Sequence, residues 1–314
     1  MPKITAADVR VPLDVLPETK KTYVNNFLAA TRNTGRLMLF ACDQKIEHLN
    51  ADFYGSGIDG ADNDPEHLFR IGSGGIIGVL AAQSGLIARY AADYPTINYL
   101  VKMNSKTNLV KTKQDDPYSA QLYPLEAILA LRESGANIVG IGYTIYLGSE
   151  YESSMLVEAA ELIMEAHAHG LIVVLWIYPR GQAVSDEKDA DLIAGAAGVA
   201  LCLGADFVKV NPPKPTDDST SAELLARASE AAGRTGLVCA GGSTVDAAQF
   251  LNQLYAQIHV GGASGNATGR NIHQRPLPEA IQLTKAISAI TLADYDAQRA
   301  LDVFRNKEEF VLEA

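Results

Sequence analysis

Residues 171–178 read Leu-Ile-Val-Val-Leu-Trp-Ile-Tyr, and this unbroken apolar run decides the fold. A strand with one wet face alternates apolar and polar residues. A run that is apolar throughout is covered on both faces, as in a parallel sheet. Working outward, residues 149–169 before it and 186–203 after it carry helical patterns, with Gly170 and Pro179 as punctuation. The same unit recurs: a β-branched run, a loop with Gly or Pro, then an amphipathic stretch. Strand-like runs fall at 36–42, 76–81, 99–104, 137–143, 171–178, 206–210, 237–240 and 257–261. Helical patterns fall at 85–94, 124–135, 149–169, 186–203, 221–233, 244–255 and 278–290, with Gly135, Gly170, Gly204 and Gly236 marking ends. Eight strands alternating with helices predict an α/β fold, a single (β/α)8 TIM barrel, with a doubly wound open sheet as the alternative.

The length of 314 residues suits one such barrel, which takes about 250 residues, with decorations. Residues 1–314 are read as one domain: a barrel over 36–290, with N- and C-terminal helical extensions over 1–35 and 291–314. Two polar insertions, 50–66 and 105–123, follow the first and third strands, on the face where barrels keep their sites. With 47% hydrophobic and 20% charged residues the chain has the mix of a compact soluble core. A net charge of −11 argues against a nucleic-acid partner, while a small phosphorylated ligand needs only a local nest of N–H groups and one Arg. Cys42, Cys202 and Cys239 each lie in apolar stretches without a CxxC pair, which points to reduced thiols. No signal-like or membrane-length apolar run is present, so a soluble, cytoplasmic protein is expected.

Lys209 lies within Asp206-Phe-Val-Lys-Val210. Period-two alternation puts it on the face of Phe207; if that face looks into the barrel, the amine sits near its mouth. Burial disfavours the ammonium and brings the amine towards neutrality, the state that Schiff-base formation requires. The bland alternative is a structural lysine paired with a carboxylate. Trp176 and Tyr178 share a face on the preceding strand, which would place the Tyr178 phenol beside Lys209. Carbon–carbon cleavage next to an iminium needs a group that takes a proton and returns one. A phenol near that cation can do both, because positive charge favours phenolate. Gly241 and Gly242 end the seventh strand, and a Gly-rich stretch up to Arg270 follows the expected eighth. Loops after strands seven and eight commonly hold phosphate, though tight rim turns would read the same way. Asp43 and Glu47 are placed for polar work at the mouth, and Lys102 on the third strand is a competing nucleophile.

The segments WIYPRG (176–181), ADFVKV (205–210), AGGS (240–243), GASGNATGRNIHQ (262–274), GYTIYLGSEYE (142–152) and DQKIEH (43–48) resemble the archaeal-type class I fructose-bisphosphate aldolases, in the DeoC/LacD-like Schiff-base superfamily. The similarity runs from about residue 35 to 290, and the 31 positions from Tyr178 to Lys209 match that family's spacing. The resemblance implies reversible cleavage of fructose 1,6-bisphosphate to dihydroxyacetone phosphate and glyceraldehyde 3-phosphate. Lys209 would be the nucleophile, Tyr178 the proton shuttle, and Trp176 and Asp43 pocket residues; Gly241, Gly242, Gly269 and Arg270 would hold the ketose phosphate. Lys102 is counted with the substrate-binding residues. The resemblance further implies a homo-oligomer, a decamer in the archaeal relatives. The chain departs from the family in four places: Asp43-Gln-Lys45 replaces Asp-His-Gly, Ala240 replaces Ser, Asn211-Pro-Pro-Lys-Pro215 follows the lysine strand, and the insertion 50–66 is extra. These changes leave the chemistry in place and bear on which ketose phosphate is taken.

Other readings predict other behaviour. A related lyase or transferase would act on a different ketose phosphate, as aromatic-precursor synthases and autoinducer thiolases do. A non-catalytic sugar-phosphate-binding barrel would bind without covalent trapping. A metal-dependent aldolase would need clustered ligands, but the six histidines are scattered and His167 and His169 cannot face one ion together; no metal and no cofactor are expected.

Overall fold

The computed structural model describes residues 3–48, 50–110 and 115–312. Residues 111–114 of the second polar insertion lie outside the described residues. Eight parallel strands close into a barrel in sequence order. They are β1 (Leu37–Ala41), β2 (Val79–Ala82), β3 (Tyr99–Lys102), β4 (Ile138–Leu147), β5 (Ile172–Pro179), β6 (Phe207–Val210), β7 (Gly236–Ala240) and β8 (Gly265–Thr268). Helix α1 (Lys20–Ala30) precedes the barrel, and the short helices α2 (Gln44–Glu47) and α3 (Asn50–Phe53) follow β1. The outer layer comprises α4 (Glu66–Gly74), α5 (Ser84–Tyr90), α6 (Leu125–Glu133), α7 (Glu152–Ala168), α8 (Ala190–Leu203), α9 (Ser221–Ala232), α10 (Ala247–His259), the short α11 (Arg270–His273), α12 (Leu277–Ala293) and α13 (Ala297–Phe304). None of the described helices is long and apolar enough to cross a membrane.

Two cores follow from the period of two. Leu37, Leu39, Val79, Leu100, Ile172, Val174, Phe207, Val238 and Ala267 fill the barrel. Met38, Phe40, Leu80, Val101, Ile141, Val173, Val208 and Cys239 face the helices. Tyr23 and Val24 of α1 pack with the interior set, so this helix plugs the end of the barrel away from the site.

The eighth strand is not where its apolar run placed it. Residues 257–261 finish α10, whose buried Leu251, Leu254 and Ile258 keep the helical spacing of three and four. The strand is Gly-Asn-Ala-Thr, four small or polar residues, all buried. Gly265 adopts φ +150, and a Cβ there would lie 2.0 Å from the Leu37 carbonyl oxygen, so the seam between first and last strands admits only glycine. The strand β4 also runs four residues past its expected end, pairing Tyr146 with Tyr178.

At the closed end, His167 of α7 is buried between two carboxylates. Its Nδ1 lies 2.8 Å from Asp14 Oδ2 and its Nε2 3.2 Å from Asp206 Oδ2; the other Asp206 oxygen accepts from the Tyr23 hydroxyl. Burial opposes the imidazolium, but the two carboxylates outweigh it and raise the group from 6.5 to about 9. A group whose folded pKa is raised contributes stability that is complete below its unfolded pKa and is lost as pH rises through the folded one. Thermal melts should therefore show a loss between pH 6.5 and about 9 that His167→Gln removes. Parallel pH profiles for the two proteins would contradict this.

Candidate active site

The barrel register delivers the chemistry. Trp176 of β5 is directly opposite Lys209 of β6, and Tyr178 stands one inward position nearer the mouth, opposite Tyr146 of β4. Trp176 is the single tryptophan of the chain, and its ring has both the Lys209 and Lys102 amines 5.3 Å from its centroid. Gly142 of β4 makes room for that ring, since a Cβ there would lie 2.4 Å from it and 2.8 Å from Leu100.

One cleft at the C-terminal ends of the strands is lined by Asp43, Trp176, Tyr178, Lys209, Gly241, Gly242, Gly269 and Arg270, together with Gln44, Glu47, Tyr146 and Arg180. Of the residues expected to build a site, only Lys102 stays off this surface. It is fully buried, and its amine donates to the Asn104 carbonyl at 3.1 Å and to Asn104 Oδ1 at 2.9 Å. Asn104 is itself anchored, with Nδ2 donating to the Ser119 and Thr144 carbonyls. Lys102 is therefore held as a fixed buried cation rather than as a group free to meet a substrate. The Lys209 amine has no hydrogen-bond partner or ion pair among the described residues.

Desolvation governs the electrostatics. Burial lowers both amines, against the pull of Asp43 and Glu47; Lys102 falls to about 8, and Lys209 is pushed down further by Arg270. Burial raises the Glu47 carboxyl against the attraction of Lys102. The Tyr178 phenol is shifted the other way from the amines. Burial first, then the Asp43 and Glu47 carboxylates, hold it well above its ordinary value, so the resting group is a neutral phenol. Asp43 Oδ1, Gln44 Oε1 and Trp176 Nε1 are buried without a hydrogen-bond partner among the described residues. Such atoms are costly unless something polar meets them, as the hydroxyls of a sugar would.

Several residues that build the cleft gave little sign in the sequence. Asn271 donates from Nδ2 to the Gly241 and Ser243 carbonyls and accepts from the Val245 N–H, tying the loop after β7 to α11. Gln44 lies against the backbone at the already expected Gly269, where a Cβ would meet its amide at 2.7 Å. Arg180 lies over the rings of Tyr146 and Tyr178 and is paired through two nitrogens with Glu187, at 2.7 and 2.8 Å. Among the described residues no three His, Cys, Asp or Glu side chains converge as a metal site would require.

A buried amine, an adjacent phenol and glycine-rich loops at the end of a parallel barrel define a Schiff-base lyase class. Residues 37–275 match the DeoC/LacD family aldolase, and the chain belongs to that family. It is 54% identical over 303 residues, 96% of each chain, to a Methanocaldococcus jannaschii protein named fructose-bisphosphate aldolase/6-deoxy-5-ketofructose 1-phosphate synthase. A solved fructose-bisphosphate aldolase from Slackia heliotrinireducens superposes with a TM-score of 0.98 at 70% identity, over 100% of this chain and 99% of that one. An archaeal fructose-1,6-bisphosphate aldolase, solved with its catalytic Lys covalently bound to a carbinolamine, superposes with a TM-score of 0.73 at 28% identity, over 86% and 99%.

The single indole makes the site self-reporting. Gly142→Val should crowd Trp176, shift its fluorescence and cost about 1–3 kcal/mol of stability, as overpacking does. Unchanged emission and melting would show that the ring does not depend on this gap.

Proposed function

We propose that the chain is a metal-independent class I aldolase that reversibly cleaves fructose 1,6-bisphosphate to dihydroxyacetone phosphate and glyceraldehyde 3-phosphate, with Lys209 as the nucleophile. The observation that carries the reading is the Lys209 amine, lowered by burial and without a partner, inside the cleft that also holds Tyr178 and Arg270. The neutral amine adds to the ketose carbonyl and the carbinolamine loses water to give the iminium. Removal of the proton from the C4 hydroxyl then breaks the C3–C4 bond, whose electrons pass into the iminium to leave an enamine. Return of a proton to C3 and hydrolysis release the ketose phosphate. Tyr178 is the shuttle in this scheme. Its resting phenol becomes more acidic once Lys209 carries the iminium charge, which counters the two carboxylates. Asp43 takes a substrate hydroxyl on its unpartnered oxygen, with Trp176 as the wall. The ketose phosphate is held by the backbone at Gly241, Gly242 and Gly269 and by the Arg270 guanidinium.

Borohydride with dihydroxyacetone phosphate should label one lysine, Lys209, by peptide mass mapping; label at Lys102, or none, would overturn the assignment. Tyr178→Phe should still be trapped yet lose about 10²–10⁴-fold in turnover, the usual worth of a positioned proton-transfer group.

The far end of the cleft favours a second reading, which the name of the M. jannaschii relative also suggests. Arg180 and Arg270 are the two arginines lining the cleft, one just after β5 and one at the start of α11, and Arg180 is already closed on Glu187. A 6-phosphate must take Arg180 from Glu187, whereas a 6-deoxy sugar 1-phosphate asks nothing of it. Glu187→Gln should therefore lower KM for fructose 1,6-bisphosphate and leave fructose 1-phosphate unaffected. Equal effects on both would remove Arg180 from the choice of substrate.

A further inference from the structure

The insertion after β1 is absent from the mechanism, yet it is fastened to the segment that carries Arg270. Asp62 and His273 are both fully buried, with Asp62 Oδ2 2.8 Å from His273 Nδ1. The Phe53 ring stacks on the His273 imidazole, 4.7 Å between centroids and 7° from parallel. Around them the backbone is stitched together: the Asp59 N–H donates to the Gln274 carbonyl at 3.0 Å, and Gln274 Nε2 donates to the Asp52 carbonyl at 2.8 Å. The Asp52 carboxylate, almost wholly buried, lies 3.5 Å from Arg270 Nη1. Its other oxygen is 3.2 Å from His48 Nδ1.

We propose that Asp52, with the Asp62–His273 pair behind it, positions Arg270 for the phosphate of the substrate, so that the insertion is a specificity device for phosphorylated ketoses. The proposal rests on the reading that Arg270 receives that phosphate. An arginine side chain free to turn must be frozen when an anion binds, and that loss weakens binding. Here one nitrogen is steadied from the insertion side, and Arg270 reaches the cleft already ordered. A buried polar group stripped of its partner is costly, which makes the hydrogen-bonded Asp62–His273 contact a rigid base for the guanidinium rather than a loose one. Asp52, Asp62 and His273 touch no reacting atom and are positioning residues.

The test uses the full chain and inorganic phosphate as the probe. Titration calorimetry should show that Asp52→Asn and His273→Gln each weaken phosphate binding about tenfold, the scale of one charge-assisted contact. KM for the bisphosphate should rise with kcat held, and borohydride trapping of unphosphorylated dihydroxyacetone at Lys209 should be unchanged. Melting curves accompany each variant, and Asp52→Asn, which keeps shape and removes only charge, carries the result if His273→Gln fails to fold. Unchanged or tighter phosphate binding in Asp52→Asn would overturn the proposal and leave the aldolase reading standing. Wild-type protein that binds no phosphate in competition with substrate would overturn both this proposal and the phosphate role of Arg270. Loss of trapping in wild type alone would instead strike the Schiff-base reading, with the phosphate comparison still decisive for the positioning of Arg270.

Discussion

Withdrawing two amines from water at the mouth of a barrel is the constraint on which the rest of the molecule depends. An isolated buried ammonium is expensive, and a protein meets that cost either by supplying partners or by letting the proton go. Both solutions stand side by side here. Lys102 is satisfied by Asn104, which is in turn pinned to β4 and the loop before α6. Lys209, three strands further along the chain but one indole away in space, keeps its amine free of hydrogen bonds among the described residues. Asp43 and Glu47 balance the pair without contacting it closely, and their field adds to the burial that raises the Tyr178 hydroxyl.

That balance asks for a wall with no give, and the wall is made of large residues set against glycine. Gly142 faces Trp176 and Leu100, Gly140 faces Ile172, and Gly236 faces Phe207. In each case a single Cβ would occupy space the larger neighbour fills, so the interior is closed by pairing extremes of size rather than by medium side chains throughout. Strand order and register then place Trp176 beside Lys209 with no help from loops.

Much of this could be read from residues alone, and the failures have definite physical causes. Seven strands advertise themselves through short apolar runs, and Lys209, Tyr178 and Arg270 stand out by type and spacing. The eighth strand does not, because Gly265, Asn266, Ala267 and Thr268 were shaped by a crowded seam and not by β-propensity. The apolar residues just before it belong to the last turn of a helix, with Ile258 inside it and Val260 capping it. The upward shift of the Tyr178 phenol was illegible for a different reason: it depends first on burial and then on Asp43 and Glu47, at the two ends of the α2 segment, which no local pattern joins to β5. Asn271 and Glu187 were illegible likewise, since a side chain that reaches across loops leaves no periodicity.

The seam between Gly265 and Leu37 joins the two ends of the barrel sequence. During synthesis the ribosome releases the lysine strand well before the last one, so a nascent chain displays residue 209 without its final neighbours. Burial, with Arg270 adding to it, is what lowers that amine, and both are complete only once the barrel closes. The unusual state of that amine is thus a property of the closed cylinder and not of the strand that bears it.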